Sequence, residues 1–320
     1  MILTRVFFAT DVHGSERAFR KFVSAGPFYK AGIVILGGDI TGKMMTPIVK
    51  KSDNTYLAYY YQRNVELRNE KDLEKFENEV KNSGYYPYHC SQDELATITT
   101  DREKANALLF QLMTERLRAW MKLIEEKLRG TGVKVYITGG NDDPYEVENI
   151  LRSSDFIIDP EGQVVKIDET KEMISSGFSN PTPWKTPREV SEDRLKEEIE
   201  KMTSKVQDMK NCIFNIHVPP KDSQLDTCPQ LDESVYPPKP VLKEGRLVEF
   251  GAGSSSVRLA IEHHQPLLGL FGHIHESRGA IKIGRTVCIN PGSEYQEGIL
   301  RGAIIDFKKD KIGEYQLTSG

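Results

Sequence analysis

The sequence predicts an α/β fold, and two observations support that class. Short apolar runs recur along the chain, each bounded by Gly, Asp, Asn or His, which is the pattern of buried strands. Segments of helix length lie between several of these runs, as expected for strand-helix-strand units that build a largely parallel sheet. The five apolar runs cover residues 6–9, 33–36, 133–138, 212–216 and 267–271.

Length and composition indicate a globular chain of 320 residues, with 38% hydrophobic residues and a net charge of −4. We expect a single domain over residues 1–320, because no composition shift marks a boundary. No apolar run approaches the roughly 20 residues of a membrane helix, and the N-terminus lacks the pattern of a signal peptide. We therefore expect a cytoplasmic protein with no membrane partner. The slightly acidic charge gives no reason to expect nucleic acid.

Helices are predicted over residues 15–25, 100–129, 188–209 and 254–264. The clearest begins near Asp101, where apolar residues recur at three- and four-residue steps. Thr100 and Glu103 form a capping-box pattern at its start, and Gly130 is placed to end it in a left-handed conformation. We expect Trp120 to lie in the core.

Later apolar segments are short and separated by turns, which predicts antiparallel hairpins that join or face the parallel strands. They cover residues 156–158, 163–167, 173–176, 281–283, 287–289, 303–307 and 315–317.

Three further stretches look inserted. Residues 43–100 form a cap-like segment with a hairpin around residues 52–55, a charged helix near residues 70–82 and many tyrosines. The tyrosines either stack nucleobases or form the core of a small cap. Residues 181–187 are too rich in proline for regular structure, and residues 218–246 form a long loop rich in Pro and Asp.

Side chains that suit metal binding follow each of the five apolar runs. Because the carboxyl ends of parallel strands share one edge of a sheet, we expect these side chains to lie together. Each motif is weak by itself, but the ordered set occupies four of the seven histidines. In chain order the residues are Asp11 and His13, Asp39, Asn141 with Asp142 and Asp143, His217, and His273 with His275.

The series Asp-x-His, Gly-Asp, Gly-Asn, His and Gly-His-x-His resembles the calcineurin-like metallophosphoesterase superfamily. The resemblance covers the chain from Asp11 to Ser293, where the turn of residues 290–293 is also similar. It implies an αββα sandwich, in which two packed mixed β-sheets are flanked by helices, with residues 43–100 as a helical and hairpin insert.

The resemblance also implies two divalent metal ions with Asp39 as the bridge. Manganese is our first choice, with Fe, Zn, Ni or Co as alternatives, since mixed imidazole and carboxylate ligands do not choose among them. A hydroxide between the two ions would attack phosphorus in line. The implied ligands are Asp11, His13, Asp39 and His275 for the first ion, and Asp39, Asn141, His217 and His273 for the second.

One position departs from the pattern. Many active members have Gly-Asn-His followed by an acidic residue, whereas this chain has Asp142 and then Asp143. Either carboxyl would need a raised pKa to act as a general acid. We expect Asp39, Asn141, Asp142 and Asp143 to be the catalytic residues, and we expect a phosphodiesterase with a small phosphoester substrate more than a phosphoprotein phosphatase.

Other interpretations remain open at this point. The chain could be a phosphomonoesterase or nucleotidase, or a scaffold that kept the fold and lost the chemistry, and a homo-oligomer is left open. Residues 251–256 could be an anion-binding loop or a simple helix cap. We expect the three inserted stretches to overhang the metal-binding edge and to set substrate choice. His89, His263 and His264 lie outside the strand-end pattern.

Overall fold

Two six-stranded mixed sheets form the centre of the protein, which a computed structural model describes over residues 4–51, 53–235 and 237–320. Strands and helices are numbered in chain order. From one edge to the other, the first sheet contains β22 (Lys311–Ser319), β21 (Arg301–Lys308), β1 (Thr4–Ala9), β2 (Ile33–Leu36), β7 (Lys134–Ile137) and β8 (Ile157–Ile158). The second contains β19 (Gly279–Ile283), β20 (Thr286–Asn290), β18 (Leu268–Leu270), β11 (Cys212–Ile216), β10 (Glu172–Ser176) and β9 (Val164–Lys166).

The pairing of the strands confirms the predicted α/β class and the two packed mixed sheets. Strands β1, β2, β7 and β8 are parallel, while β21 and β22 add antiparallel pairs at one edge. In the second sheet β10, β11, β18 and β20 are parallel, and β9 and β19 close its edges in the antiparallel sense. The five apolar runs are strands as predicted, but they do not share one sheet. The first three lie in the first sheet and the last two in the second.

Alternating side chains on β1 show how the layers pack. Phe8 points into the cluster between the sheets, together with Ile213 and Leu268 from the second sheet. Phe7 points the other way, into the cluster beneath the helices that cover the first sheet. Because side chains alternate along a strand, one apolar run supplies both cores and therefore contains no polar alternation.

Helices cover the outer faces of both sheets. The predicted helix at residues 254–264 is present. The helix predicted at residues 188–209 is shorter than expected, because Ser191 caps its start and Met209 belongs to a separate 3₁₀ turn. The helices are α1 (Glu16–Tyr29), α2 (Glu70–Asn82), α3 (Gln92–Thr100), α4 (Arg102–Leu128), α5 (Val147–Leu151), α6 (Glu192–Thr203) and α7 (Ser255–His264).

The start of α4 differs from the prediction, and its end agrees with it. Thr100 ends α3 instead of capping α4, and the side chain of Asp101 accepts the hydrogen bond from the Lys104 N–H at 3.0 Å. Gly130 follows the helix with a φ of +85°, as expected for a left-handed terminus. Trp120 is buried and stacks on Phe19 with ring centroids 3.9 Å apart.

The segment from β3 to β6 has a sheet and a small core of its own. Its sheet order is β5-β4-β3-β6, and α2 packs on it through Phe76. Ser52, in the predicted hairpin turn, lies outside the described residues, and the flanking strands pair in the antiparallel sense. Tyr60 is buried in this core, whereas Tyr59 and Tyr61 are exposed. The strands are β3 (Met45–Lys50), β4 (Tyr56–Tyr60), β5 (Arg63–Leu67) and β6 (Tyr86–Cys90).

Residues 218–246 are not the irregular loop that their composition predicts. Residues 227–232 and 239–247 form short antiparallel strand pairs, and only residues 227–229 pair with a strand wholly beyond the predicted end. The pairs are β12 (Thr227–Pro229) with β17 (Glu249–Gly251), β13 (Leu231–Asp232) with β14 (Lys239–Pro240), and β15 (Leu242–Lys243) with β16 (Arg246–Leu247). In the described part of the chain, no helix has the length and apolarity needed to cross a membrane.

Candidate metal centre

The seven predicted metal ligands converge at the carboxyl ends of strands from both sheets. The first sheet delivers its ligands after β1, β2 and β7, and the second delivers its ligands after β11 and β18. All seven belong to short loops directly after their strands, so the packed sheets fix their positions. The residues are Asp11, His13, Asp39, Asn141, His217, His273 and His275.

One group of ligand atoms forms around Asp11. Its Oδ1 atom lies 3.3 Å from Nε2 of His275 and 3.8 Å from Nε2 of His13. The two imidazole nitrogens are themselves 3.0 Å apart. Atoms of these three side chains could hold one metal ion, since all lie within 4.8 Å of one another.

A second group forms around Asp39, His217 and His273. The Oδ2 atom of Asp39 lies 3.3 Å from Nε2 of His217 and also 3.6 Å from Nε2 of His13, so it faces both groups. Beside it, Nδ1 of His273 lies 2.7 Å from Oδ1 of Asn141. A third possible group comprises His13, Asp39 and Asp142, so Asp39 lies between the imidazoles of both other groups.

The surroundings of His217 favour a positive charge at the site. Its Nδ1 atom lies 3.1 Å from the carbonyl oxygen of Gly37, so Nδ1 carries the proton that this acceptor requires. Nε2 is buried without a hydrogen-bond partner and faces carboxylate oxygens of Asp39 and Asp11. Burial would lower the pKa of His217, but these two carboxylates outweigh it and raise the pKa to about 10. A divalent ion at this position would supply the positive charge that a proton otherwise supplies, so the residues fit a metal.

The pKa values of the other buried candidate ligands shift in both directions: burial favours neutral His13 and His273, whereas Asp11 outweighs burial and raises the pKa of His275. Burial lowers the pKa of His13 to about 3 and that of His273 to about 4. Burial opposes ionisation of Asp11, but His217 and His275 outweigh it and hold the pKa of Asp11 at about 2. Metal ligands must be deprotonated to bind, so the shifts of His13, His273 and Asp11 favour metal binding, whereas a metal ion would compete with protons at His217 and His275.

Four of the candidate ligands have a backbone conformation that non-glycine residues rarely adopt. Their φ values are positive, which costs of order 1 kcal/mol or more for each residue and persists only where the surrounding structure enforces it. Such residues cluster at functional sites. The residues are Asp11 (φ 53°), His13 (φ 39°), Asp39 (φ 47°) and His273 (φ 66°).

The glycines that precede ligands serve close packing within the site. A side-chain carbon on Gly140 would overlap Asp39, and one on Gly272 would overlap Asp11 and Thr10. These glycines therefore allow the ligand loops of different strands to touch one another.

The two carboxylates that follow Asn141 have different environments. Asp143 is fully buried, and its oxygens accept hydrogen bonds from N–H groups of Ile40, Thr41 and Gly140 and from the Thr41 hydroxyl, at 2.7–2.9 Å. Asp142 instead forms an ion pair with the half-exposed Lys43. Burial and the neighbouring Asp39 raise the pKa of Asp142 to about 8, although Lys43 opposes the shift. Asp143 thus holds the Asp39 and Asn141 turns together, and only Asp142 faces the edge of the site.

Sequence reasoning missed a residue that organises the Gly-His-x-His loop. Asn290 is fully buried, and its Nδ2 atom lies 2.9–3.3 Å from the carbonyl oxygens of Leu225, Gly272 and Ile274. The Ser293 hydroxyl donates a hydrogen bond to the carbonyl oxygen of Asp11 at 2.6 Å. The sequence pointed to the turn of residues 290–293 only through the family resemblance. No spacing rule predicts which carbonyl oxygens the side-chain amide of Asn290 would contact.

The loop that opens α7 is a helix cap and not an anion site. The carboxylate of Glu192 accepts hydrogen bonds from the Ser254 hydroxyl and from the N–H groups of Ser255 and Ser256, at 2.6–3.0 Å. A side chain of this protein therefore occupies the position that the anion-binding interpretation reserved for phosphate. His89 contacts Glu77 in the inserted segment, away from the candidate metal centre.

Comparison with known proteins agrees with this fold. No family model matches the sequence. A protein of Methanocaldococcus jannaschii described as uncharacterized is 32% identical over 161 residues, which are 50% of this chain and 64% of that protein. The match therefore spans less than two thirds of the relative's length.

Solved structures resemble the whole chain. One crystal structure, 16% identical, matches over 99% of both chains with a TM-score of 0.57. The protein TT1561 of Thermus thermophilus, 12% identical, matches over 100% of this chain and 99% of its own with a TM-score of 0.54. At these identities the likeness establishes a shared fold. A weaker match, with a TM-score of 0.36 and 12% identity, is to a protein described as a novel archaeal phosphodiesterase.

Proposed function

We propose that this protein is a metal-dependent phosphoesterase that cleaves small phosphodiesters. The proposal depends chiefly on one observation, the buried Nε2 atom of His217 that faces two carboxylates and lacks a hydrogen-bond partner. Such an arrangement is costly unless a positive charge, from a proton or a metal ion, lies between the groups. The remaining six ligands, three more imidazoles, the carboxylates of Asp11 and Asp39, and the amide oxygen of Asn141, suit manganese and its neighbours.

Two bound divalent ions would activate a water as the nucleophile and neutralise charge on the phosphoryl oxygens. The residues of the chain would hold the ligand atoms in place. His13, His275 and Asp11 would hold one ion, and Asn141, His217 and His273 the other, with Asp39 between them. Asp143 positions two of these turns through four hydrogen bonds, two on each of its carboxylate oxygens. We therefore assign Asp143 to positioning, and we keep Asp142 as the candidate proton donor.

The leaving group favours a diester over an alkyl monoester. Asp142 lies at the edge of the site beside Lys43, and in its protonated form it could donate to the leaving oxygen of a diester. Only the four imidazoles of the metal site lie at this edge among the described residues, so an alkoxide leaving group receives no help from a further histidine.

A diester also has a second ester arm, and the structure offers a place for it. A cavity of about 490 Å³ adjoins His275 and is lined by Tyr295, Arg278 and Arg301 among others. The Tyr295 ring packs against His13 and His275, with centroids 4.6 and 5.8 Å away. An ester arm in this cavity would therefore extend directly from the metal centre.

The test is metal reconstitution followed by a comparison of two substrates. The protein is stripped with chelator, Mn, Fe, Zn, Ni or Co is added back singly, and hydrolysis of bis-p-nitrophenyl phosphate and p-nitrophenyl phosphate is measured. We expect metal-dependent cleavage with the diester preferred. Asp39→Asn should abolish turnover and weaken metal binding, while the exposed control Asp232→Asn should change neither.

Each alternative outcome has a defined meaning. A preference for the monoester would indicate a phosphomonoesterase or nucleotidase and would overturn the diester assignment. Failure to bind metal at all would overturn the enzyme and favour a scaffold with this fold.

A further inference from the structure

The proline-rich segment of residues 181–190 holds the turn that carries Asn141. Arg188, which is fully buried, donates from its backbone N–H to the carbonyl oxygen of Asn141 at 3.1 Å. Its guanidinium donates to the carbonyl oxygens of Asp143 and Pro144 at 2.9 Å each. The same guanidinium forms an ion pair with Glu148 at 2.8 Å. The backbone of the turn is therefore fixed by one buried residue from a distant part of the chain.

The side chain of Asn141 is fixed by the same segment. Its Nδ2 atom donates to the Thr186 hydroxyl oxygen at 2.8 Å, and its Oδ1 atom lies 2.7 Å from Nδ1 of His273. A carboxamide has one end that donates and one that accepts, and only the oxygen can bind a metal ion. Reversing the amide would turn its NH₂ group toward the metal centre.

Glu189 decides the direction in which the Thr186 hydroxyl donates. Oε1 of Glu189 accepts from the hydroxyl and from the backbone N–H of Thr186, both at 2.8 Å. It also accepts from the Thr182 hydroxyl at 2.5 Å. A carboxylate only accepts, so the Thr186 proton is committed to Glu189 and a lone pair is left for Asn141.

We propose that Glu189 and Thr186 form a directional hydrogen-bond relay that turns the amide oxygen of Asn141 toward the second metal ion. Thr186 is thereby a positioning residue for the group of Asp39, Asn141, His217 and His273. The inference rests on the proposed function, because it requires a metal ion in that group. Partners of metal ligands commonly change metal affinity by about 10- to 100-fold when they are removed.

The test is a calorimetric titration of the chelator-stripped full chain with Mn²⁺ or Co²⁺, without substrate. The Thr186→Val variant removes the hydroxyl and keeps the shape of the side chain. We expect one of the two metal equivalents to bind about 10- to 100-fold more weakly and the other to bind as in the wild type. Thr186→Ser keeps the hydroxyl and should restore the affinity. Thr99→Val, an exposed threonine on α3, is the matched control.

A second background separates orientation from general structural damage. In the Asn141→Asp background the carboxylate has oxygens on both sides and needs no orientation, so adding Thr186→Val should have little further effect. An equal loss in both backgrounds would overturn the relay. Glu189→Gln can donate to Thr186 and allow the relay to reverse, so we expect an intermediate loss that provides a second test if Thr186→Val folds poorly.

The relay proposal and the phosphoesterase proposal can be contradicted by different results. Wild-type affinity at both sites in Thr186→Val would overturn the relay and leave the enzyme standing. Equal weakening at both sites would overturn it as well. If the wild-type protein binds only one equivalent of metal, both the second metal site and the relay are overturned. The turnover assay tests the phosphoesterase activity independently.

Discussion

The backbone of Gly84 packs directly against the carbonyl oxygen of His13, with no space for a side-chain carbon between them. Gly14 and Gly42 lie in the same contact. The chain therefore enters the inserted segment near Gly42 and passes Gly84 in direct contact with the loop of His13, a candidate metal ligand. Arg116 of α4 ties this contact together by donating to the carbonyl oxygens of Gly14 and Tyr85 at 2.8 Å each. The inserted segment thus packs directly on the loop that carries His13 of the candidate metal centre.

This contact leads to a prediction for Gly84→Ala. The added methyl group would overlap the His13 carbonyl, and the φ of +88° would strain any other residue. We expect the free energy of unfolding to fall by about 1–3 kcal/mol and metal binding by the Asp11, His13 and His275 group to weaken. Urea unfolding and metal titration measure both effects. Gly32→Ala, which has open space around it, is the control, and equal metal affinity in both variants would contradict the coupling.

The same coupling affects removal of the inserted segment. From the sequence alone, trimming residues 43–100 should alter substrate preference and preserve metal content. The packing of Gly42 and Gly84 on the His13 loop now leads us to expect that a deletion through either glycine also weakens metal binding. Tyr59→Ala changes an exposed side chain of the segment, leaves that contact and the small core intact, and should alter substrate preference alone.

Asn290→Ala should destabilise the Gly-His-x-His loop by removing the amide that contacts its backbone. The buried amide lies within hydrogen-bonding distance of three carbonyl oxygens, and its loss would leave buried acceptors without a partner. We expect a loss of about 3 kcal/mol in the free energy of unfolding, together with weaker metal binding by His273 and His275. Denaturant unfolding compares the variant with Asn78→Ala, an exposed asparagine on α2. A stability equal to that of the control would show that water replaces the amide.

Glu161 should make stability depend on pH. Burial raises the pKa of Glu161 from 4.5 to about 8, although Arg188 opposes the shift. The folded protein therefore holds a proton that the unfolded chain releases between these values, so the free energy of unfolding should fall as the pH rises from about 4.5 to about 8. Glu161→Gln removes this contribution and keeps an acceptor for the N–H of Gly177.

The measurement is chemical denaturation across that pH range for the wild type, Glu161→Gln and the exposed control Glu169→Gln. The wild type and the Glu169 variant should lose stability together relative to the Glu161 variant. If the stability of all three proteins varies with pH in the same way, the pKa of Glu161 is the same in the folded and unfolded states.

Glu192→Ala should destabilise the start of α7. The carboxylate caps the helix through the Ser254 hydroxyl and two backbone N–H groups, and loss of such a cap costs about 1–2 kcal/mol. We expect turnover and KM to remain unchanged, because this cap is not a substrate site. Thermal unfolding and steady-state kinetics compare it with Glu197→Ala on the exposed face of α6. A large rise in KM would revive the anion-binding interpretation of residues 251–256.

Local patterns predicted the elements well and their assembly less well. The helix over residues 70–82 and the left-handed Gly130 follow from side-chain periodicity and glycine chemistry, which act over a few residues. The start of α4 was misplaced by one residue, because Thr100 and Asp101 both have capping side chains and the preceding α3 claims the threonine. The strand pairs after Val218 were missed, because proline and aspartate are rare in strands and pairing with Glu249–Gly251 is a long-range choice.

The sequence by itself determined the chemistry that this protein brings to its strand ends. The order of Asp11, His13, Asp39, Asn141, His217, His273 and His275 was sufficient to predict a metal site, because strand ends and ligand types are both local features. Only the tertiary structure decided that two sheets supply those ligands, that Asp143 is committed to backbone N–H groups, and that Thr186 and Glu189 direct the amide of Asn141. These outcomes depend on contacts between residues far apart in the chain, whose partners are fixed by packing and hydrogen-bond satisfaction and leave no periodic trace in the sequence.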